Sequence, residues 1–140
     1  MPLVWMYQKW SIGAVALKLL FVDDEVFNHE FIRVALQQDG YDIACVSSGQ
    51  AALDWLYQQL PDLLVVDMVM PGLSGLDLCR LLRHNPETAS LPILVLSGMD
   101  NSAEVAQAFA AGADAFLSKP IQVDQLRWKI TQMLSGSSAL

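Results

Sequence analysis

The chain has 140 residues, 54% of them apolar and 16% charged, with a formal net charge of −7. That length suits one domain around a single core, and the apolar fraction excludes intrinsic disorder, which needs low hydrophobicity and high net charge. Only eight Lys and Arg are present, and they are scattered; this argues against direct nucleic-acid binding, which depends on clustered cations.

Residues 1–16 read as an N-terminal extension of unknown role, rich in apolar residues and carrying Trp5, Tyr7 and Trp10. Lys9 and Lys18 interrupt the apolar stretch, so no membrane insertion is expected. The stretch also opens without the charged region of a signal peptide. Cys45 and Cys79 give neither a disulfide framework nor a metal-site spacing. Both read as small packed residues, and a reducing, cytoplasmic location fits them.

From residue 17 onward, short apolar runs alternate with helical patterns. The runs are Leu17–Val22, Tyr41–Val46, Leu63–Val66, Pro92–Leu96 and Ala115–Leu117. Between them, and after the last, apolar residues recur at a spacing near 3.6. Helix punctuation agrees: Asp39-Gly40 ends the first helix, Ser47 or Ser48 caps the second and Ser74 the third. Ser102 with Glu104 opens the fourth, and Gly112 closes it. Runs this continuously apolar mark parallel strands buried on both faces. Five strand–helix units within residues 17–134 define a doubly wound α/β domain, and residues 135–140 read as a flexible tail.

In such sheets the ligand site lies beyond the carboxyl ends of the strands. There the sequence places Asp23, Asp24 and Glu25 after the first run, Asp67 after the third, Ser97 after the fourth and Lys119 after the fifth. Singly, each has a plain explanation: Asp23 or Asp24 as a helix N-cap, Asp67 as the start of a turn, Ser97 as a cap, Lys119 as a solvated charge. Together they carry more. Acids crowded at one edge repel each other unless a cation or proton sits among them, and hard oxygen ligands suit Mg²⁺. A magnesium-assisted phosphoryl site uses all five of Asp23, Asp24, Asp67, Ser97 and Lys119.

Phe21-Val22-Asp23-Asp24-Glu25, Leu64-Val65-Val66-Asp67-Met68-Val69-Met70-Pro71-Gly72, Leu94-Val95-Leu96-Ser97-Gly98 and Phe116-Leu117-Ser118-Lys119-Pro120 resemble the receiver domain of two-component response regulators. Asn28, Gly40-Tyr41 and Ala111-Gly112-Ala113-Asp114 extend the resemblance, which spans about residues 17–134. It implies a flavodoxin-like sheet of strand order 2-1-3-4-5, an order for which the chemotaxis receiver is the standard example. It further implies that Asp67 accepts the phosphoryl group. Asp23, Asp24 and the main-chain carbonyl of Val69 would complete the Mg²⁺ site, Asp24 directly and Asp23 partly through water. Lys119 and Ser97 would each bind a phosphoryl oxygen, and Pro120 would follow a cis peptide bond that aims Lys119 inward. Phe116 matches the aromatic that fills the space Ser97 leaves on switching, and reads equally well as plain core.

Positions 69 and 99 are Val and Met, neither able to orient an attacking water, so a slowly hydrolysing phospho-form is expected. On the last helix Val123, Leu126, Ile130 and Leu134 face inward and Trp128 falls nearly opposite. Trp128 is a candidate partner contact, unless residues 1–16 fold back over it. The Ala-rich fourth helix does not resemble a charge-paired dimer face. The leading expectation is a single-domain response regulator and not an enzyme beyond self-phosphorylation and slow autodephosphorylation. It would be served by a sensor histidine kinase or histidine phosphotransfer protein, and would signal to a downstream protein target. A receiver excised from a longer regulator and a phosphorylation-independent adaptor are the alternatives. A phosphatase would want an acid at position 69.

Overall fold

The computed structural model describes residues 16–99 and 101–135. The extension over residues 1–16, all but its last residue, lies outside the described residues, as does residue 136 onward. Among the described residues five strands, β1 (Lys18–Val22), β2 (Asp42–Val46), β3 (Leu63–Asp67), β4 (Ile93–Ser97) and β5 (Ala115–Ser118), alternate with five helices. These are α1 (Val26–Ala35), α2 (Gly49–Gln58), α3 (Gly75–Arg83), α4 (Ser102–Ala111) and α5 (Val123–Ser135). The strands form one parallel sheet in the order β2-β1-β3-β4-β5. This is the flavodoxin-like, chemotaxis-receiver fold expected from the motifs.

The apolar runs are continuous because the sheet is covered on both sides. Leu20, Val22, Leu64, Val66, Ile93 and Val95 face α2, α3 and α4, where they meet Leu56, Leu78, Leu82 and Ala108. Their sequence neighbours Leu19, Phe21, Leu63, Val65, Leu94 and Leu96 face α1 and α5, against Ile32, Leu126 and Ile130. All five residues of β3 and of β4 are buried. Cys79 is buried within α3, where burial pushes its thiol up to about 11, so it stays protonated and packs as a small hydrophobe.

Strand limits agree with the sequence reading to within a residue, and the caps differ in three places. Ser48 and Ser74 cap α2 and α3 through the N–H groups of Ala51 and Asp77. The α4 cap is Asn101 and not Ser102, its Oδ1 accepting from the Glu104 N–H at 2.9 Å. Gly112 closes that helix at φ 115°, a backbone conformation glycine adopts without steric cost. Helix α1 stops at Ala35, and a short 3₁₀ turn (Gln37–Asp39) carries the chain on to Gly40. Neither Asp23 nor Asp24 caps α1; Glu25 occupies that position and makes no side-chain cap bond. Ser135, expected in the tail, is the last residue of α5, and the rest of that expected tail lies outside the described residues.

Candidate functional site

The carboxyl ends of β1, β3, β4 and β5 converge on one edge of the sheet. Asp67 is the last residue of β3 and Ser97 the last of β4, both buried; Asp23 follows β1 and is fully buried. Carboxylate oxygens of Asp23, Asp24 and Asp67 lie within 4.8 Å of one another, with Asp24 facing solvent. Lys119, one residue past β5, reaches into this group. Its Nζ lies 3.1 Å from Asp67 Oδ2, 3.3 Å from Asp23 Oδ2 and 3.8 Å from Glu25 Oε1. The Lys119–Pro120 peptide is cis, and the Lys119 N–H donates to the Ser97 carbonyl at 2.7 Å, tying the β5 end to β4.

Electrostatics set the two central groups against each other. Burial is the largest influence on Asp67 and pushes its carboxyl above the ordinary value, with the Asp23 charge adding to the rise. The Lys119 hydrogen bond and charge, and the Val69 main-chain N–H, pull it back only in part. For Lys119, burial disfavours the ammonium, but the hydrogen bonds and charges of Asp67 and Asp23 outweigh it and hold the pKa above its usual value. The ammonium is thus a fixed cation among carboxylates that a second cation would further relieve. Three hard oxygen donors converging from two strand ends, one of them open to solvent, fit a divalent ion that keeps part of its water shell.

The remaining candidates sit around this centre or away from it. The Ser97 hydroxyl oxygen accepts from the Met99 N–H at 3.1 Å. Val69 and Met99 project their side chains into solvent, 70% and 56% exposed. Phe116 is half-buried and packs against the cluster beneath α2, α3 and α4, not among the acids. Trp128 is 60% exposed on α5, with Lys129 Nζ 5.3 Å above its ring. It lines a surface groove of about 370 Å³ with Leu117, Asp124, Gln125 and Lys129. Whether residues 1–15 cover that ring lies outside the described residues.

Two contributors escaped the sequence reading of the site, and so did the contact made by a third. Glu25 was visible beside the acidic pair, but only the fold brings it to Lys119. Gly75, the first residue of α3, sits so close to β3 that a Cβ there would overlap the Asp67 carbonyl oxygen. Its one sequence signal is a glycine directly after the capping Ser74. His29 is buried in α1 with Nε2 2.7 Å from the Asp23 carbonyl oxygen, and a single histidine in a helical pattern announces nothing of the kind.

A doubly wound sheet with acids and a lysine gathered at its carboxyl edge is the architecture of a receiver-type signalling domain. Residues 19–131 match the family model of the response regulator receiver domain, and the chain belongs to that family. It is 36% identical over 117 residues to the phosphate regulon transcriptional regulatory protein PhoB of Rhizobium meliloti (strain 1021), covering 84% of this chain and 52% of that protein. Against the response regulator MprA of Mycobacterium bovis (strain BCG / Pasteur 1173P2), identity is 37% over 120 residues, 86% of this chain and 51% of that one. The chain thus spans about half the length of the curated relatives it matches. Among solved structures, the signal receiver domain of a signal transduction histidine kinase from Syntrophus aciditrophicus superposes with a TM-score of 0.80 at 30% identity. That match covers 86% of this chain and 92% of the other. A response regulator from Desulfuromonas acetoxidans gives 0.77 at 31% identity, covering 85% and 97%. Among the described residues no helix is long and apolar enough to cross a membrane.

Proposed function

We propose that this receiver domain accepts a phosphoryl group on Asp67 from the phosphohistidine of a sensor kinase or phosphotransfer protein. The observation that carries the reading is Lys119 held between Asp67 and Asp23 beside a third carboxylate, Asp24. An Asp67 oxygen attacks phosphorus; the O–P bond forms as the P–N bond to the donor imidazole breaks, and that nitrogen departs with the bonding pair. Positioning and charge neutralisation are nearly all that such a transfer asks of a protein. Asp23, Asp24 and Asp67, with the Val69 main-chain carbonyl, would hold Mg²⁺. When bound, the ion supplies neutralisation of the phosphoryl oxygens. Lys119 pairs with one of those oxygens, and Ser97 turns its hydroxyl from the Met99 N–H toward another.

The phosphorylated carboxylate adds charge and strong acceptors at the end of β3. Ser97 adds one charge-assisted hydrogen bond, at roughly 1.5–3 kcal/mol, while Lys119 exchanges its existing bond to Asp67 for one to the phosphoryl group; together they supply part of the about 5.5 kcal/mol that turns a mostly inactive population into a mostly active one. Phe116 follows Ser97, and the changed surface alters partner binding. Intact-mass measurement after incubation with Mg²⁺ and acetyl phosphate tests the reading. A single phosphoryl adduct is expected, lost without Mg²⁺ and in Asp67→Asn. Absence of an adduct both here and with a kinase donor would leave a phosphorylation-independent adaptor.

A further inference from the structure

Asp23, the buried member of the acidic pair, is held by more than its contact with Lys119. Asp23 has every polar atom engaged. Its N–H donates to the Val46 carbonyl at 3.1 Å, its Oδ1 accepts from the Glu25 N–H at 2.9 Å, and its Oδ2 accepts from Asn28 Nδ2 at 3.0 Å and Lys119 Nζ at 3.3 Å. The remaining atom, the main-chain carbonyl oxygen, lies 2.7 Å from Nε2 of His29. A carbonyl only accepts, so that ring nitrogen carries the proton and donates.

His29 is a costly choice for its position. It and Ile32 are the buried residues of α1, and a polar ring in a core is unfavourable unless hydrogen-bonded. Its ring stands edge-on to Phe21, centroids 5.9 Å apart and planes at 81°, which fixes the direction in which Nε2 points. What it grips is the peptide unit joining Asp23 to Asp24. That unit is planar, so holding its oxygen sets ψ of Asp23 and φ of Asp24 together. The direction of the Asp24 carboxylate, relative to Asp23 and Asp67, follows from that plane. Asp24 is the exposed member of the three and the one whose placement most needs main-chain support.

We infer that His29 is a positioning residue for divalent-cation binding: its Nε2–H clamp on the Asp23–Asp24 peptide sets the spacing of the carboxylates facing Asp67. The inference rests on the cation-binding reading proposed above and extends it to a residue outside the ligand set.

The test is a Mn²⁺ titration of the full chain, with free Mn²⁺ followed by electron paramagnetic resonance well below each variant's melting temperature. His29→Leu, which cannot donate, is expected to weaken Mn²⁺ binding about 10–100-fold, the usual effect of losing a group that orients a ligand. His29→Gln keeps a donor and is expected to bind more tightly than His29→Leu. Each variant is titrated where it is almost wholly folded, so a purely structural loss leaves the affinity unchanged. His29→Met serves as the donorless variant should His29→Leu not fold. Wild-type affinity in the donorless variant, or a His29→Gln no better than it, overturns the inference while leaving the cation site intact. Failure of the wild-type chain to bind Mn²⁺ overturns both.

Discussion

A methyl group at position 75 probes how tightly the start of α3 is pressed against the end of β3 at Asp67. In Gly75→Ala the new Cβ would overlap the Asp67 carbonyl oxygen, 2.9 Å from the carbonyl carbon and 3.0 Å from the Met68 Cα. All three are main-chain atoms at the end of a fully buried strand, so no side chain can rotate away to relieve the contact. Two effects compete. Inside a helix, Ala is favoured over Gly by about 1 kcal/mol. Forcing apart a packed site costs typically about 1–3 kcal/mol and sometimes more, and a clash with main chain on a central strand belongs at the upper end. The net expectation is a loss of about 2 kcal/mol, or a melting temperature lower by about 6–10 °C for a domain of this size. Thermal melts of the metal-free chain followed by circular dichroism measure it. Gly98→Ala is the control, since a Cβ there meets nothing within 4 Å and the backbone is not left-handed; it should stay within about 0.5 kcal/mol of wild type. A Gly75→Ala protein that melts with Gly98→Ala, or above wild type, would refute the close packing of α3 on Asp67.

Further expectations concern charge, lifetime and loop anchoring. Because the fold raises the Asp67 pKa above 3.8, ionised Asp67 costs stability once the pH exceeds the raised value, and costs none below 3.8, where it is protonated folded or unfolded. Asp67→Asn should therefore raise the melting temperature of the metal-free chain at pH 7, with the gain disappearing as the pH falls toward 3.8; a gain independent of pH would contradict the sign. The aspartyl phosphate should decay slowly in purified protein, since Val69 and Met99 offer no group to orient water; rapid loss of the mass adduct would contradict this. Arg83 donates to the carbonyls of Leu91 at 2.7 Å, Gly112 at 2.9 Å and Ala89 at 3.1 Å, and to Asp114 at 2.9 Å. Arg83→Met should cost about 2–4 kcal/mol in urea unfolding. Arg80→Ala, which breaks an exposed pair with Asp77, should cost less than about 1 kcal/mol.

The parts of this molecule that were legible in the sequence are those written in consecutive residues. Val22-Asp23, Val66-Asp67 and Leu96-Ser97 each pass from a buried strand to a polar group in one step, which marks both a strand end and a site residue. Trp128 was placed on the outer face of α5 because helical spacing fixes which residues oppose Leu126 and Ile130. What was not legible depends on approach between distant segments. The clamp of His29 on Asp23, the contact of Gly75 with Asp67 and the grip of Arg83 on Gly112 each join one helix residue to main chain elsewhere. A side chain that bonds to a backbone carbonyl leaves no complementary partner in the sequence to be recognised. For α4, Ser102 stands only two residues before Glu104, and it is the three-residue spacing from Asn101 that lets its side chain reach the Glu104 N–H.

The two halves of the ion pair at the centre of the site stand on strands of very different firmness. Asp67 ends β3, which is buried throughout and bonded on both sides, to β1 and to β4. Lys119 follows β5, an edge strand four residues long, partly exposed over its last three, and bonded among the described residues to β4 alone. Local opening requires least free energy where main-chain bonds are few and solvent is near, so the amides of β5 should exchange with deuterium ahead of those of β3. Under the proposed phosphorylation, an event anchored on a fully buried central strand would pull, through one lysine, on an edge strand. If Asp67 is phosphorylated as proposed, the expected deformation lies at the rim of the domain, in β5 and α5, with the register of the central strands unchanged.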